Sequence, residues 1–309
     1  MKRALVLSGG GSKGAFEVGA IEYLVKRERL NFHVFTGTSV GALNAAFLGQ
    51  ARNRRELGEL VEELKALWLG VRGNRSIYRS GFIRSFFRLL FGDSLYNPAG
   101  LRSLLAAKLD LERIFHPATV VKVTAVALEN GELFCADSRR RELGEDFRRY
   151  VLASASMPLF FPAVRIDGQH WYDGGLRDLT PLTAAMEEDP DEIIVVTTFP
   201  LGPNLQAIIP PVKAGGALKA ILRTIEIILS EIAVNDLQIA QKINQTRWRF
   251  PKKKPVPIRI IAPQTQLFGD TLSFNPRWIR ENIRAGYEAA QQTRLLAVKK
   301  LSDPLSVEQ

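Results

Sequence analysis

Cysteine and histidine are the scarce residues of this 309-residue chain, with one of the first, Cys135, and three of the second, His33, His116 and His170. A single cysteine excludes an internal disulfide and a cysteine-rich metal site. Cys135 lies in Leu133-Phe134-Cys135-Ala136, which reads as a strand, so a small buried side chain accounts for it and a reducing compartment fits. No apolar run approaches the ~18 residues of a bilayer-spanning helix. The apolar stretch behind Met1-Lys2-Arg3 is too short for a signal-peptide core and breaks at Gly9, so a buried first strand is expected. On those grounds the expected location is the cytoplasm, with peripheral contact to a membrane. Internal repeats and low-complexity blocks are missing, as are zinc-finger spacings and an aromatic RNA-binding signature.

Hydrophobic residues make up 46% and charged residues 24% of the chain, an ordinary globular balance, and a single domain over residues 1–309 is expected. The formal net charge is +10. Such a surface suits an anionic membrane, a nucleic acid or simple solubility. Without a nucleic-acid signature, an anionic lipid surface is the better partner and nucleic acid is not expected.

Residues 4–7 form a short apolar run before glycines, as a buried parallel strand would. Helical spacing follows over 15–30, then a second short strand at Val34-Phe35 and an alanine-rich helix over 40–48. This order opens a βαβ-type sheet whose ligands sit at the strand C-termini. A surface helix is expected over 52–67, strands over 120–128, 133–136, 193–197 and 258–262, and helices over 217–243 and 276–301. Glu129-Asn130-Gly131-Glu132 reads as a hairpin turn. Residues 77–91 interleave aromatic and aliphatic residues with arginines, which suits a lid, a bilayer-docking segment or a core helix with a basic outer face. The apolar positions over 217–234 line an acyl tunnel or belong to a plain core helix.

Gly37-Thr38-Ser39-Val40-Gly41 fits the nucleophile elbow G-x-S-x-G. A serine there projects its hydroxyl from the sheet edge, and the following helix N-terminus favours negative charge on a reacting oxygen. Gly9-Gly10-Gly11-Ser12-Lys13-Gly14 lies between the first strand and helix, where glycine backbone can turn several N–H groups toward one oxyanion. The same residues satisfy G-x-G-x-x-G, but the second strand ends in Phe35-Thr36-Gly37-Thr38-Ser39 without the carboxylate a ribose needs. The Gly-Lys-Ser/Thr ending of a P-loop is also missing.

A serine nucleophile needs a base. In α/β-hydrolases the order is Ser, then Asp or Glu, then His, and no histidine follows the downstream Asp173. A carboxylate can serve directly if it reaches the hydroxyl. Asp173-Gly174-Gly175 follows an apparent strand end at Trp171-Tyr172, and its glycines let the chain turn the carboxylate back to the sheet edge. An aspartate in an ordinary turn is the competing account.

Taken together, the three motifs resemble those of the patatin-like phospholipases. Gly9, Gly10, Gly11, Ser12, Lys13 and Gly14 look like that family's oxyanion loop, Gly37 to Gly41 its serine elbow, and Asp173, Gly174 and Gly175 its Asp-Gly-Gly motif. Ala153-Ser154-Ala155-Ser156-Met157-Pro158 and Phe161-Pro162 are similar to its small-residue helix and proline turn, and Arg284-Ala285-Gly286-Tyr287 to its closing helix. The similarity spans residues 4–200, with 65–120 a lid or membrane-facing insertion and 201–309 a helical completion. Lys13 stands where many members have arginine.

The resemblance implies a three-layer α/β/α sandwich with a mostly parallel sheet. It also implies a serine lipid acyl hydrolase of phospholipase A or lysophospholipase type. Ser39 would attack, Asp173 would act as base, and the N–H groups of Gly10, Gly11 and Ser12, joined by Val40, would hold the oxyanion. The substrate would be an acyl lipid or phospholipid, and neither metal nor cofactor is expected. An acyltransferase or thioesterase on the same fold, a non-catalytic membrane-binding module and a nucleotide-binding protein are the rival classes.

Overall fold

The computed structural model describes residues 1–73, 97–202, 205, 206, 208, 209, 216–249 and 255–300. The arginine-rich stretch 77–91 lies outside the described residues, as does most of the expected insertion's first half. An eight-stranded sheet organises the chain, comprising β1 (Arg3–Leu7), β2 (Val34–Gly37), β3 (Val120–Ala127), β4 (Leu133–Asp137), β5 (Val164–Ile166), β6 (Gln169–Asp173), β7 (Glu192–Val196) and β8 (Ile258–Ile261). Its order is β5-β6-β3-β2-β1-β7-β8, with β4 also paired to β3. β1 runs parallel to β2 and β7, β2 to β3, and β7 to β8, while β4, β5 and β6 pair antiparallel.

Alternation along β1 shows the layers. Leu5 and Leu7 face one hydrophobic core, Ala4 and Val6 the other. The first core is covered by α1 (Ala15–Glu22), α2 (Val40–Leu48), α3 (Arg54–Leu69), α4 (Ala99–Lys108), α5 (Leu111–Ile114), α6 (Glu145–Ser154) and α9 (Pro276–Lys300). On the second core lie α7 (Leu182–Met186) and the long α8 (Ala217–Thr246). The result is a three-layer α/β/α sandwich with a mostly parallel sheet. Strands buried on both faces read as continuous apolar runs for this reason.

Local chemistry sets the helix limits. Asn53 accepts from the Glu56 N–H at 3.0 Å while Glu56 accepts from the Arg52 N–H at 3.2 Å, a capping arrangement that starts α3. α1 is shorter than its apolar spacing suggests, because residues 23–27 widen into a π-helical turn. Above it, α9 crosses α1 at closest approach through two glycines. A Cβ on Gly19 would stand 1.8 Å from the Ile283 carbonyl oxygen, and one on Gly286 would stand 1.8 Å from that of Phe16. No side-chain rotation relieves a clash between two backbones.

Gly286→Val should therefore force the two helices apart. The expected outcome is a loss of at least ~1–3 kcal/mol of stability, read as an earlier transition in urea, with Gly286→Ala also destabilising because the clash begins at Cβ.

Candidate active site

The elbow is built where β2 ends. Ser39 adopts φ 57° and ψ −127°, a left-handed conformation that is strained for a residue bearing a Cβ. The glycines on either side make the turn possible. A Cβ on Gly37 would meet the Gly41 carbonyl oxygen at 2.2 Å, and one on Gly41 the Leu7 carbonyl oxygen at 2.3 Å. The strained backbone is held from both sides. The Ser39 N–H donates to Ser154 Oγ at 2.9 Å, and the Thr38 N–H donates to the Leu7 carbonyl at 3.3 Å. Thr38 Oγ1 donates to the Asp178 carbonyl at 2.9 Å and so accepts the 2.6 Å bond from Thr124 Oγ1.

Asp173 reaches the same place by the sheet's topology. β4 occupies one edge of β3, pairing Lys122 to Val126. On the other edge β2 pairs only as far as Val123, opposite Gly37. β6 takes up the edge that β2 has left, entering from the opposite direction with Asp173 against Ala125. Two strands thus meet end to end along β3, one delivering the serine and the other the aspartate. The small-residue segment bridges them, since Ser154 holds Ser39 and the Ser156 carbonyl accepts the Asp173 N–H at 3.0 Å.

The Asp173 carboxyl is only 1% exposed. Oδ1 accepts the Gly175 N–H at 2.8 Å, whereas Oδ2 is buried without a hydrogen-bond partner. The Ser39 hydroxyl is close enough to ease ionisation but makes no well-formed bond to Oδ2. Burial dominates and pushes the Asp173 pKa up to about 7, with the Gly175 N–H and the Ser39 hydroxyl pulling the other way.

Across from these residues lies the glycine loop, where Gly10 and Gly11 take φ of 155° and 57°. The Gly9 N–H donates to Leu179 O at 3.0 Å, the Ser12 N–H to Thr271 O at 2.7 Å and the Lys13 N–H to Gly10 O at 3.2 Å. Ser12, expected as an oxyanion donor, therefore has its N–H committed, because the loop is anchored to the segment before α9. Among the described residues the Gly10 and Gly11 N–H groups have no such acceptor. Gly14 packs instead against Val40, whose Cγ2 lies 2.4 Å from where a Cβ would be. The Lys13 ammonium is buried, 3.2 Å from Glu226 of α8 and 5.7 Å from the Phe199 ring centre.

Beneath the loop a polar chain ties three helices together. Glu17 accepts from Asn44 Nδ2 at 2.8 Å, and Asn44 Oδ1 accepts from Trp68 Nε1 at 3.1 Å. Burial drives the Glu17 carboxyl well above the usual range. Its protonated form suits so dry a place.

The histidines are placed elsewhere. His33 Nδ1 accepts the Arg3 N–H at 3.3 Å beside the start of β2, the sheet end opposite Ser39. His116 Nδ1 accepts the Ala118 N–H at 3.2 Å, and the exposed His170 ring pairs with Glu129 at 2.7 Å. Burial pushes the Cys135 thiol up to about 12, which suits an inert strand residue. Among the described residues no group of three or more His, Cys, Asp and Glu is placed to hold a metal ion. Sequence reasoning missed what the hydroxyls of Thr38 and Ser154 bond, and two acids of α8: Glu226 beside Lys13, and Asp236, which accepts the Leu179 and Thr180 N–H groups. The two hydroxyls sit inside motifs that it found, but no pattern shows what they bond; the acids lie in a helix whose periodicity marks only its apolar face.

Over 24% identity, 215 residues match the uncharacterized protein YjjU of Escherichia coli (strain K12), covering 64% of this chain and 52% of that protein. A 27% identical match over 220 residues links the chain to the uncharacterized protein YqhO of Bacillus subtilis (strain 168), covering 63% of this chain and 70% of that one. The chain thus spans about half the length of the first of these relatives. Among solved structures, VipD from Legionella pneumophila is similar at a TM-score of 0.47 and 15% identity, over 94% of this chain and 66% of that one. The type III effector protein ExoU is similar at a TM-score of 0.37 and 14% identity, over 96% and 53%. The patatin-like phospholipase family model matches residues 5–186, more than half of the chain and all three motifs, and the chain belongs to that family.

Proposed function

We propose that this chain is a serine lipid acyl hydrolase in which Ser39 is the nucleophile and Asp173 its base, with no histidine between them. The observation that carries this reading is the buried, unpartnered Oδ2 of Asp173 at the strand junction beside a strained serine. An unpaired buried carboxylate oxygen is costly, and active sites are where such groups persist.

The steps follow from the arrangement. Ionised Asp173 takes the Ser39 proton as Oγ attacks the ester carbonyl, giving a tetrahedral oxyanion. The uncommitted N–H groups of Gly10 and Gly11 and the N-terminus of α2 at Val40 stabilise that charge. The alcohol leaves with the proton from Asp173, which then deprotonates a water that releases the fatty acid. A base pushed to about 7 is close to the working pH, as proton transfer requires.

An apolar wall for the acyl chain is supported by Leu179, Phe199, Leu229 and Ala233, with Met157, Ile225 and Ile232 packed on them. Beyond that wall α8 exposes Ile221 (47%) and Ile228 (52%), and the Asp-Gly-Gly turn exposes Leu176 (39%). With the basic net charge, these residues favour peripheral contact with an anionic bilayer. Among the described residues no helix is long and apolar enough to cross a membrane.

Turnover of a short-chain p-nitrophenyl ester tests the chemistry. Ser39→Ala and Asp173→Ala, each checked for folding by circular dichroism, should lose at least ~100-fold in kcat/KM. Wild-type kcat/KM should fall as pH drops through about 7, where Asp173 gains its proton. An Asp173→Ala variant near wild type sinks the dyad.

The same carboxylate should weaken the fold. Because its folded pKa is raised, the native state holds the proton between pH ~4 and 7 and loses it above. Stability from this group therefore falls as pH rises through that window. Asp173→Asn should melt above wild type at pH 8, with the gap closing by pH 5. Equal gaps at both values would show that Asp173 is not the group responsible.

Ile221→Glu with Ile228→Glu should weaken sedimentation with phosphatidylglycerol vesicles. It should also slow hydrolysis of vesicle lipid by more than that of a soluble short ester.

A further inference from the structure

Residues 178–181, just beyond the Asp-Gly-Gly motif, form a short bridge that touches every part of the site. The Thr38 hydroxyl donates to the Asp178 carbonyl at 2.9 Å, the Gly9 N–H to that of Leu179 at 3.0 Å, and the Thr36 hydroxyl to that of Pro181 at 3.0 Å. The Leu179 side chain fills the space beside both Gly9 and Gly175. This bridge has little regular structure of its own, and its spare N–H groups point to one acceptor. Asp236 Oδ2, in the middle of α8, accepts from Leu179 N at 2.8 Å and from Thr180 N at 2.9 Å. Asp236 lies outside residues 5–186, the extent of the family match.

We infer that Asp236 is a positioning residue for the reaction, clamping the 178–181 bridge so that glycine loop, serine elbow and Asp173 keep their spacing. The inference rests on the Ser39–Asp173 reading, which Asp236 serves without touching substrate. It is charge-assisted and partly buried, the circumstances in which two hydrogen bonds hold a loop firmly. The clamp also has a second half, for the Asp178 carboxyl hydrogen-bonds to Asp236. Burial and repulsion from Asp236 raise Asp178 above the usual carboxylate range, and burial raises Asp236 although its hydrogen bonds pull the other way, so the pair keeps one proton between them.

Other charges do not interfere. Arg177 donates to the Gly131 carbonyl at 2.7 Å, Cys135 on β4 keeps its proton, and no cation faces either carboxyl among the described residues. Once alkaline pH removes the shared proton, two carboxylates face each other and the clamp loosens.

The test compares full-length wild type with Asp236→Ala, Asp236→Asn and Asp178→Asn. Its readouts are kcat and KM on a short p-nitrophenyl ester and amide hydrogen exchange at Leu179 and Thr180. Asp236→Ala should lower kcat roughly 10–100-fold, as small misplacements of reacting groups do, with a smaller change in KM. Exchange should quicken at Leu179 and Thr180 while β1 and β2 stay protected. Asp236→Asn keeps an acceptor oxygen and should recover most of kcat. Asp178→Asn has no shared proton to lose and should flatten the alkaline decline of kcat.

Wild-type kcat and exchange in Asp236→Ala would overturn the inference, as would a loss of protection throughout the sheet in both Asp236 variants. Should Asp236→Ala fail to fold, an unchanged alkaline limb in Asp178→Asn overturns it. If the wild type is inert toward esters, the Ser39–Asp173 reading fails, and exchange at Leu179 and Thr180 alone decides the clamp.

Discussion

Keeping one oxygen of Asp173 dry and unbonded is the constraint around which the rest of the site is arranged. A second N–H on Oδ2 would settle the carboxylate and weaken it as a base. Solvation by bulk water would do the same. The protein instead spends a single hydrogen bond, from Gly175, and buries the other oxygen without a partner, near the Ser39 hydroxyl. Burial then lifts the group to about 7, into the range where imidazole normally works. On the proposed mechanism, that is why the site needs no histidine. A carboxylate of ordinary pKa near 4 would be too weak to take a serine proton.

The same economy applies to the proposed nucleophile. Ser39 is held in a conformation that costs on the order of 1–3 kcal/mol, and its surroundings fix it there. Ser154 Oγ accepts its N–H, while Thr38 is pinned through both backbone and hydroxyl. Two apolar cores, one on each face of β1, supply the stability that these strained and desolvated groups consume.

Motif and context made much of this visible before any coordinates. The strand-glycine-helix order around Gly9 and Ser39 requires a parallel sheet with its chemistry at the strand ends, and β1, β2 and the elbow stand there. Asp173 was legible as a strand-end aspartate. What no pattern reveals is that β6 runs antiparallel and meets β2 end to end along β3, since pairing partners leave no local signature. Commitment of N–H groups was equally hidden. Ser12 looks like an oxyanion donor in sequence, and only the tertiary contact to Thr271 removes it. Asp236 carries no signal in sequence, because a single acid within an amphipathic helix is indistinguishable from a solvated one. The stretch 77–91, which the sequence singles out, lies outside the described residues.

Two of these contacts, at Thr271 and at Asp236, lie after residue 201, and they change how the C-terminal third is understood. The sequence presents residues after 201 as helices that complete a sandwich, and the family match ends at residue 186. Yet α8 reaches the glycine loop, the Asp-Gly-Gly turn and the bridge that joins them to the serine elbow. Glu226 neutralises Lys13 of the glycine loop, Leu229 lies beside Gly175, and Asp236 holds the bridge that spaces the motifs. From the other face, Gly286 of α9 seats against Phe16, just behind the same loop. Residues that react must keep their identities, whereas residues that space them need only present an acceptor, a charge or a volume. The family match ends at residue 186, although the geometry that the first kind depends on continues into α8 and α9.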